Sequence, residues 1–407
     1  MIRHRMPRGF NAWVAATVGA DLGAGVLAFA LTWVASGYGP AAASAVLTLT
    51  VAPTVVFGLL GGAVADRFGA RRVMIICTAA LMLISATLAL VVGFWSVSPA
   101  VLMVAAAAIG TVSAFHRPAV GVFPRLFVSD GALGTAMARV GMASQVAGTL
   151  APPLGGLLIG MIALNGVAWI DVLGCLVMVA VLLLIHPPLT PDTAPEAMTV
   201  GGIVAGLTAA RRTSGVPTLL LCVGIVAGAV LPAVFLGIPL AARERGWSAA
   251  EAGLIEAGWI AGGLVVGLWF SWRGTAVRAW RPMAAGAMVV AVGLLGLALS
   301  PTWTCAVVST CIVGAGVVIF TAHVFPTYVL LAPASMLSRF QSLLILVQRA
   351  PQLVINPLIG VMISVTATGP VLAGAAVLAL VAAVIVASDR TLRSFVPTAG
   401  APHQKSR

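Results

Sequence analysis

Four ionisable side chains interrupt otherwise apolar stretches of this sequence: Asp21, Asp171, Glu256 and Arg349. At the centre of a membrane helix each costs about 2.5–3.5 kcal/mol on insertion scales, so each needs a partner or a wet cavity. The chemistry open to such groups is reversible protonation, ion pairing across an interface, or contact with a charged solute. Asp21 lies near the middle of the first apolar segment. It is read as an acceptor for a proton or a cationic substrate, against a structural hydrogen bond. Glu256 enters the eighth segment by about two turns, where burial would tune a carboxyl for proton coupling and hydration of the helix end is the plainer alternative. Arg349 can pair with an acid in the opposite half or hold the halves together. Asp171 is explained as readily by a polar contact to a neighbouring helix.

Other chemistry finds little support. Cys77, Cys175, Cys222, Cys305 and Cys311 all fall in apolar runs with no C-x-x-C pair, and read as small core residues. His116, His186 and His323 fall near expected helix ends and His4 and His403 in the tails, which points to headgroup-level placement. There is no G-x-S-x-G elbow, phosphate loop or H-E-x-x-H pair. The sequence therefore predicts no enzyme, no cofactor and no metal.

The elements that must position these residues follow from composition. The chain has 407 residues, 61% of them hydrophobic and 8% charged, against roughly 25% charged in soluble domains. Its mean hydropathy is +1.12. A membrane helix takes about 20 apolar residues, and twelve such segments can be read between Phe10–Ala35 and Pro370–Ala387, with the fourth at Pro99–Ala114 and the eleventh at Leu343–Val365. The formal charge of +12 then reads as topology and not as a nucleic-acid surface. Of the 22 lysines and arginines, all but Arg243, Arg245 and Arg349 fall on one side when the segments alternate. That places both termini in the cytoplasm of a multi-pass protein of the inner (plasma) membrane, a monomer in contact with lipid.

The expected fold is all-α, with twelve transmembrane helices in two pseudo-repeated six-helix bundles. Residues 1–186 form the first bundle, 187–215 a cytoplasmic linker, 216–390 the second bundle and 391–407 a cytoplasmic tail. The latter part of the linker, with Arg211 and Arg212, is either an interfacial helix or a flexible connection. Two internal matches support the division. Gly62, Asp66 and Gly69 correspond to Gly267, Ser271 and Gly274, while Pro153, Leu154, Gly156 and Ile159 correspond to Pro357, Leu358, Gly360 and Ile363.

The most specific segment is Gly58–Arg72, GLLGGAVADRFGARR. Its small residues allow close helix approach and Gly69 permits a tight turn. With Gly62, Asp66, Arg67, Gly69, Arg71 and Arg72 so spaced, the sequence resembles the major facilitator superfamily. The resemblance implies that Asp66 latches the two halves on the cytoplasmic side by facing the start of helix eleven. In helix five, Pro152, Pro153, Gly155 and Gly156 resemble the antiporter motif of proton-coupled exporters in that superfamily, with Ala151, Ala147 and Ala138 where glycines stand. A structural kink is the alternative. Asp21 and Leu22 with the Pro118–Ala151 region resemble the drug-exporter branch that includes macrolide and siderophore exporters. Helix four, bounded at Ala114, carries no arginine. The expected function is secondary active transport, as proton-coupled efflux of a hydrophobic or cationic small molecule such as a drug or natural product. The rivals are uptake or facilitated diffusion on the same fold, and a non-transport scaffold or lipid-modifying protein.

Overall fold

The computed structural model describes residues 6–189, 207–273, 279–333 and 336–394. Linker residues 190–206, Gly274 and the tail beyond 394 lie outside the described residues. In lipid a backbone must satisfy its own hydrogen bonds, so apolar runs of this length fold as helices. Helices α1 (Arg8–Ser36), α2 (Pro40–Phe68), α3 (Ala70–Phe94) and α4 (Pro99–Val122) come first. Asp130–Leu184 is helical throughout except at Ala163 (φ 56°), and its two limbs are α5 (130–162) and α6 (164–184). The second set is α7 (Val216–Glu244), α8 (Ala249–Arg273), α9 (Trp280–Leu299), α10 (Trp303–Leu331), α11 (Arg339–Val365) and α12 (Thr368–Ser388). With the long helix divided at Ala163, twelve spans are described, and both described termini lie at one end, here the terminal end.

Local chemistry sets the boundaries. Pro40 and Pro99 start helices where a missing N–H is harmless. Gly69 turns between α2 and α3 at φ 85°, a conformation a side chain would strain. Two helices are interrupted. In α7 a π-helical turn occupies Ala233–Gly237. In α11 the first limb ends at Arg349 and the second begins at Gln352, because Pro351 has no N–H to offer. The Gln352 side chain donates instead to the Gln348 carbonyl at 3.0 Å.

Packing repeats between halves, α2 on α4 as α8 on α10, and α3 on α4 as α9 on α10. The halves meet chiefly through α5 against α8 and α2 against α11, and the close contacts cluster at the far end. There a Cβ on Gly156 would strike the Ala249 carbonyl, one on Gly253 the Pro152 carbonyl, and one on Gly360 the Ser44 hydroxyl. Gly156 and Gly360, matched in the sequence repeat, thus serve equivalent contacts.

The two basic residues expected on the outer side both bind backbone carbonyls there. Arg245 donates to Ala298 (2.7 Å) at the end of α9. Arg243 reaches across to α1, donating to the Trp33 carbonyl (3.1 Å) and the Ser36 hydroxyl (3.3 Å) with its guanidinium 4.0 Å over the Trp33 ring. Together such contacts are worth about 1–3 kcal/mol. Arg243→Ala should therefore open the far end about 5- to 150-fold more often. Faster maleimide labelling of a cysteine at Ser44, buried in this structure, in a background without other cysteines, would register that opening.

Toward the terminal end the halves part. Among the described residues nothing lies within 4 Å of where a Cβ would stand on Gly58, Gly62 or Gly69, and Arg117, Ser144 and Gln145 are exposed. Among the described residues the halves are thus closed at the far end and part toward the terminal end. Linker residues 207–212 are helical, with Ala210 buried against the second bundle.

Candidate functional site

The open cavity brings together side chains from both halves. Asp21, half-buried on α1, accepts a hydrogen bond from the Ser144 hydroxyl of α5 at 2.8 Å. Arg117 of α4 acts electrostatically on Asp21 and on Arg349 of α11. Arg117 thus stands within electrostatic reach of both the Asp21 carboxyl of its own half and the Arg349 guanidinium of the other. Arg349 stands where the first limb of α11 ends, so a backbone break fixes the depth of this cation. The arrangement can hold an acidic group between two arginines, and it can alter their availability by adding or removing a proton at Asp21.

Arg117 was not expected here, since the sequence reading ends helix four at Ala114 and assigns Arg117 to a cytoplasmic loop. The structure corrects this by continuing α4 to Val122 with Pro118 inside it. Membrane helices tolerate an internal proline because neighbours and local adjustments satisfy the freed carbonyl. The signal available was the apolar run 119–123 beyond Pro118. Two histidine placements are corrected for a related reason. His116 lies within α4 with Nε2 3.3 Å from the Thr78 hydroxyl of α3. His323 is buried within α10 and edge-on to Phe270. Ser144 was also missed, and nothing in its local sequence distinguishes it.

The other ionisable candidates lie apart. Glu256 is buried on α8. One turn earlier Gly253 presses on Pro152 and Pro153 of α5, and one turn later Trp259 meets Phe235 of α7 edge-on at 5.4 Å. It thus occupies the closed part of the interface, where among the described residues its carboxyl has no hydrogen-bond partner. Asp171 is buried inside the first bundle, where its Oδ2 accepts from the Ser85 hydroxyl of α3 at 2.6 Å and Gly23 of α1 passes close above it. Its other oxygen is buried without a partner. Asp171 joins α6 to α3 and does not face the cavity cluster.

In the α2–α3 turn, Arg71 donates to the carbonyls of Leu182 (3.0 Å) and Leu183 (3.1 Å), closing the end of α6. Arg67 sits 5.6 Å from the Phe68 ring, and Arg72 is exposed. Asp66 is half-exposed and has no hydrogen-bond partner among the described residues. With the terminal end open, its latch to helix eleven is not made in this conformation. In α5 the two adjacent glycines face different neighbours: a Cβ on Gly155 would meet Phe29 and the Val26 carbonyl of α1 at 3.0–3.2 Å, while Gly156 faces α8. Pro152 and Pro153 remain within the helix. The motif is the first half's side of the far-end closure.

The family model described as Major Facilitator Superfamily matches residues 13–355. Among solved structures, a POT family transporter in complex with 5-aminolevulinic acid aligns with a TM-score of 0.73 at 14% identity, covering 95% of this chain and 97% of that one. A peptide transporter POT aligns with a TM-score of 0.74 at 16% identity, covering 95% of each chain. A mutant of the nucleoside transporter NupG aligns with a TM-score of 0.73 at 14% identity, covering 93% of this chain and 100% of that one. A search of curated proteins returned no match.

Proposed function

We propose a function from this premise: the chain belongs to the major facilitator superfamily, a superfamily of multi-pass membrane transporters. Our reading is proton-coupled secondary transport of a small molecule with a hydrophobic body and an acidic group, by rocking of the two bundles about the cavity. The observation that carries it is the placement of Arg117 within electrostatic reach of Asp21 in its own half and of Arg349 in the other.

The coupling follows from charge. Ionised Asp21 attracts the guanidinium groups and repels a substrate carboxylate. Protonated Asp21 frees Arg117 to join Arg349 at the substrate, so each ligand favours binding of the other, and by linkage the effect is reciprocal. Proton and acidic substrate then travel together, driven inward by a proton gradient. This favours the uptake alternative over efflux, and the two arginines argue against a cationic substrate. Solved structures of similar fold include transporters of peptides and nucleosides, which at their low identity supports the fold alone.

Export in exchange for protons is the second reading. It is favoured by the helix-five motif, because Pro152, Pro153 and Gly156 seal the far end while the cavity is open. A seal of that kind would keep protons from crossing unaccompanied. In either case the excess of basic residues at the terminal end supports a cytoplasmic side for both termini.

The deciding experiment uses proteoliposomes challenged with short peptides, hydrophobic carboxylates, nucleosides and lipophilic cations, with internal pH followed. Protons entering with an acidic substrate support the proposal. Protons leaving against substrate support export, and substrate movement without protons defeats both. Arg349→Gln should raise KM for the acidic substrate at least about tenfold, the loss of one charge-assisted contact, and leave an uncharged analogue unaffected.

A further inference from the structure

A second cavity, of about 560 Å³, lies outside the transport site, within the roughly 300–1,000 Å³ usual for ligand pockets. It is a cleft between α7, α11 and α12, walled by Leu220, Leu221, Gly224, Leu343, Val347 and Leu378. These positions belong to the half of the second bundle nearer the terminal end. Leu221 and Leu378 are 53% and 45% exposed, so the cleft opens on the surface that the bundle turns to lipid. Its form comes from α7 and α11. A Cβ at Gly224 would lie 3.2 Å from Val347, and Pro351, where α11 breaks, contributes to the wall.

Among the described residues one charged side chain lines the cleft, that of Arg211. It sits on the helical residues 207–212, beside exposed Arg212. This segment is anchored: Ala210 is buried in the core of the second bundle, and the Thr213 amide returns to the carbonyls of Ala209 (3.1 Å) and Ala210 (3.3 Å). The same end of the bundle carries Arg390 and Arg393, next to Leu392 and Thr391, which touch Gly215. An apolar slot edged by a guanidinium on an anchored segment, at an end of the bundle that carries further arginines, is complementary to one kind of molecule. The occupant is apolar along its length and bears an anionic head at the membrane surface.

We infer that this cleft is a binding site for an anionic phospholipid, with an acyl chain between α7, α11 and α12 and the phosphate on Arg211. Basic residues at the cytoplasmic surface attract anionic headgroups, and the slot adds the chain contacts that distinguish a site from a surface. The site touches transport through α11: Pro351 lines the cleft, and Arg349, two residues before it, belongs to the cavity cluster.

The test is retention of lipid by the purified full-length protein in native mass spectrometry after exchange into detergent containing phosphatidylglycerol or phosphatidylcholine. Wild type should retain phosphatidylglycerol adducts at least severalfold more than phosphatidylcholine. Arg211→Gln should abolish that preference, and Leu378→Trp, which fills the slot from an exposed position, should reduce retention of both lipids. Equal retention of the two lipids by wild type would overturn the proposal. So would an unchanged preference in Arg211→Gln, or unchanged retention in Leu378→Trp. Since the readout is bound lipid, these outcomes stand whatever the transport assays give.

Discussion

Asp21→Asn is expected to abolish substrate-driven proton movement while leaving downhill exchange of substrate across the membrane. Asparagine keeps the shape of the protonated acid and can still accept from Ser144, which now donates to Asp21 at 2.8 Å. It cannot release a proton. One coupled proton supports about tenfold accumulation per unit of pH difference, since each unit is worth 1.36 kcal/mol. Wild type in proteoliposomes should therefore concentrate substrate about tenfold per imposed unit, and the variant should equilibrate without concentrating it. Retained accumulation in Asp21→Asn would remove Asp21 from coupling. If Glu256→Gln alone lost it, the coupling acid would be the one buried in the far-end closure.

The second large effect is expected at Gly156. A leucine there must displace the Ala249 backbone, because even a Cβ collides with its carbonyl. Overpacking of this kind costs about 1–3 kcal/mol where side chains can give way, and backbone gives way less readily. The contact lies between the bundles and not within either, so Gly156→Leu should leave each bundle folded and hold the far end apart. Transport should fall at least about tenfold, while a cysteine at Ser44 becomes labelled from the far side. Gly160→Leu is the control, one turn along the same helix with nothing within 4 Å of its Cβ position. Equal loss in both variants would mean that the leucine damages α5 itself.

How much could be read from the sequence differs between fold and site. Helix number, the six-plus-six division and the Gly69 turn follow from hydropathy, charge sidedness and the needs of a tight turn, which are local properties. The repeat also carried meaning beyond similarity, since its Gly156 and Gly360 both make far-end contacts. The cavity cluster was only half legible. Asp21 and Arg349 stand out because a charge in an apolar run is conspicuous. Arg117 does not, because Pro118 beside it imitates the end of a helix, and a proline's effect depends on neighbours that sequence order does not reveal. For the same reason Asp171 and Asp21 look alike in sequence. Only packing shows that one faces Ser85 inside a bundle and the other faces a cavity with two arginines.

The two arginines at the far end bear on how the chain is assembled. In the proposed orientation, Arg243 and Arg245 must cross the membrane with the α7–α8 turn, where Glu244 and Glu251 cancel their work against the potential, about 2.3 kcal/mol per charge for each 100 mV, and leave the dehydration of the charged side chains to be met. Their carbonyl partners on α1 and α9 belong to elements outside the α7–α8 hairpin, α9 being made after it. The two guanidinium groups of that hairpin therefore gain their final carbonyl partners only when the rest of the molecule has docked.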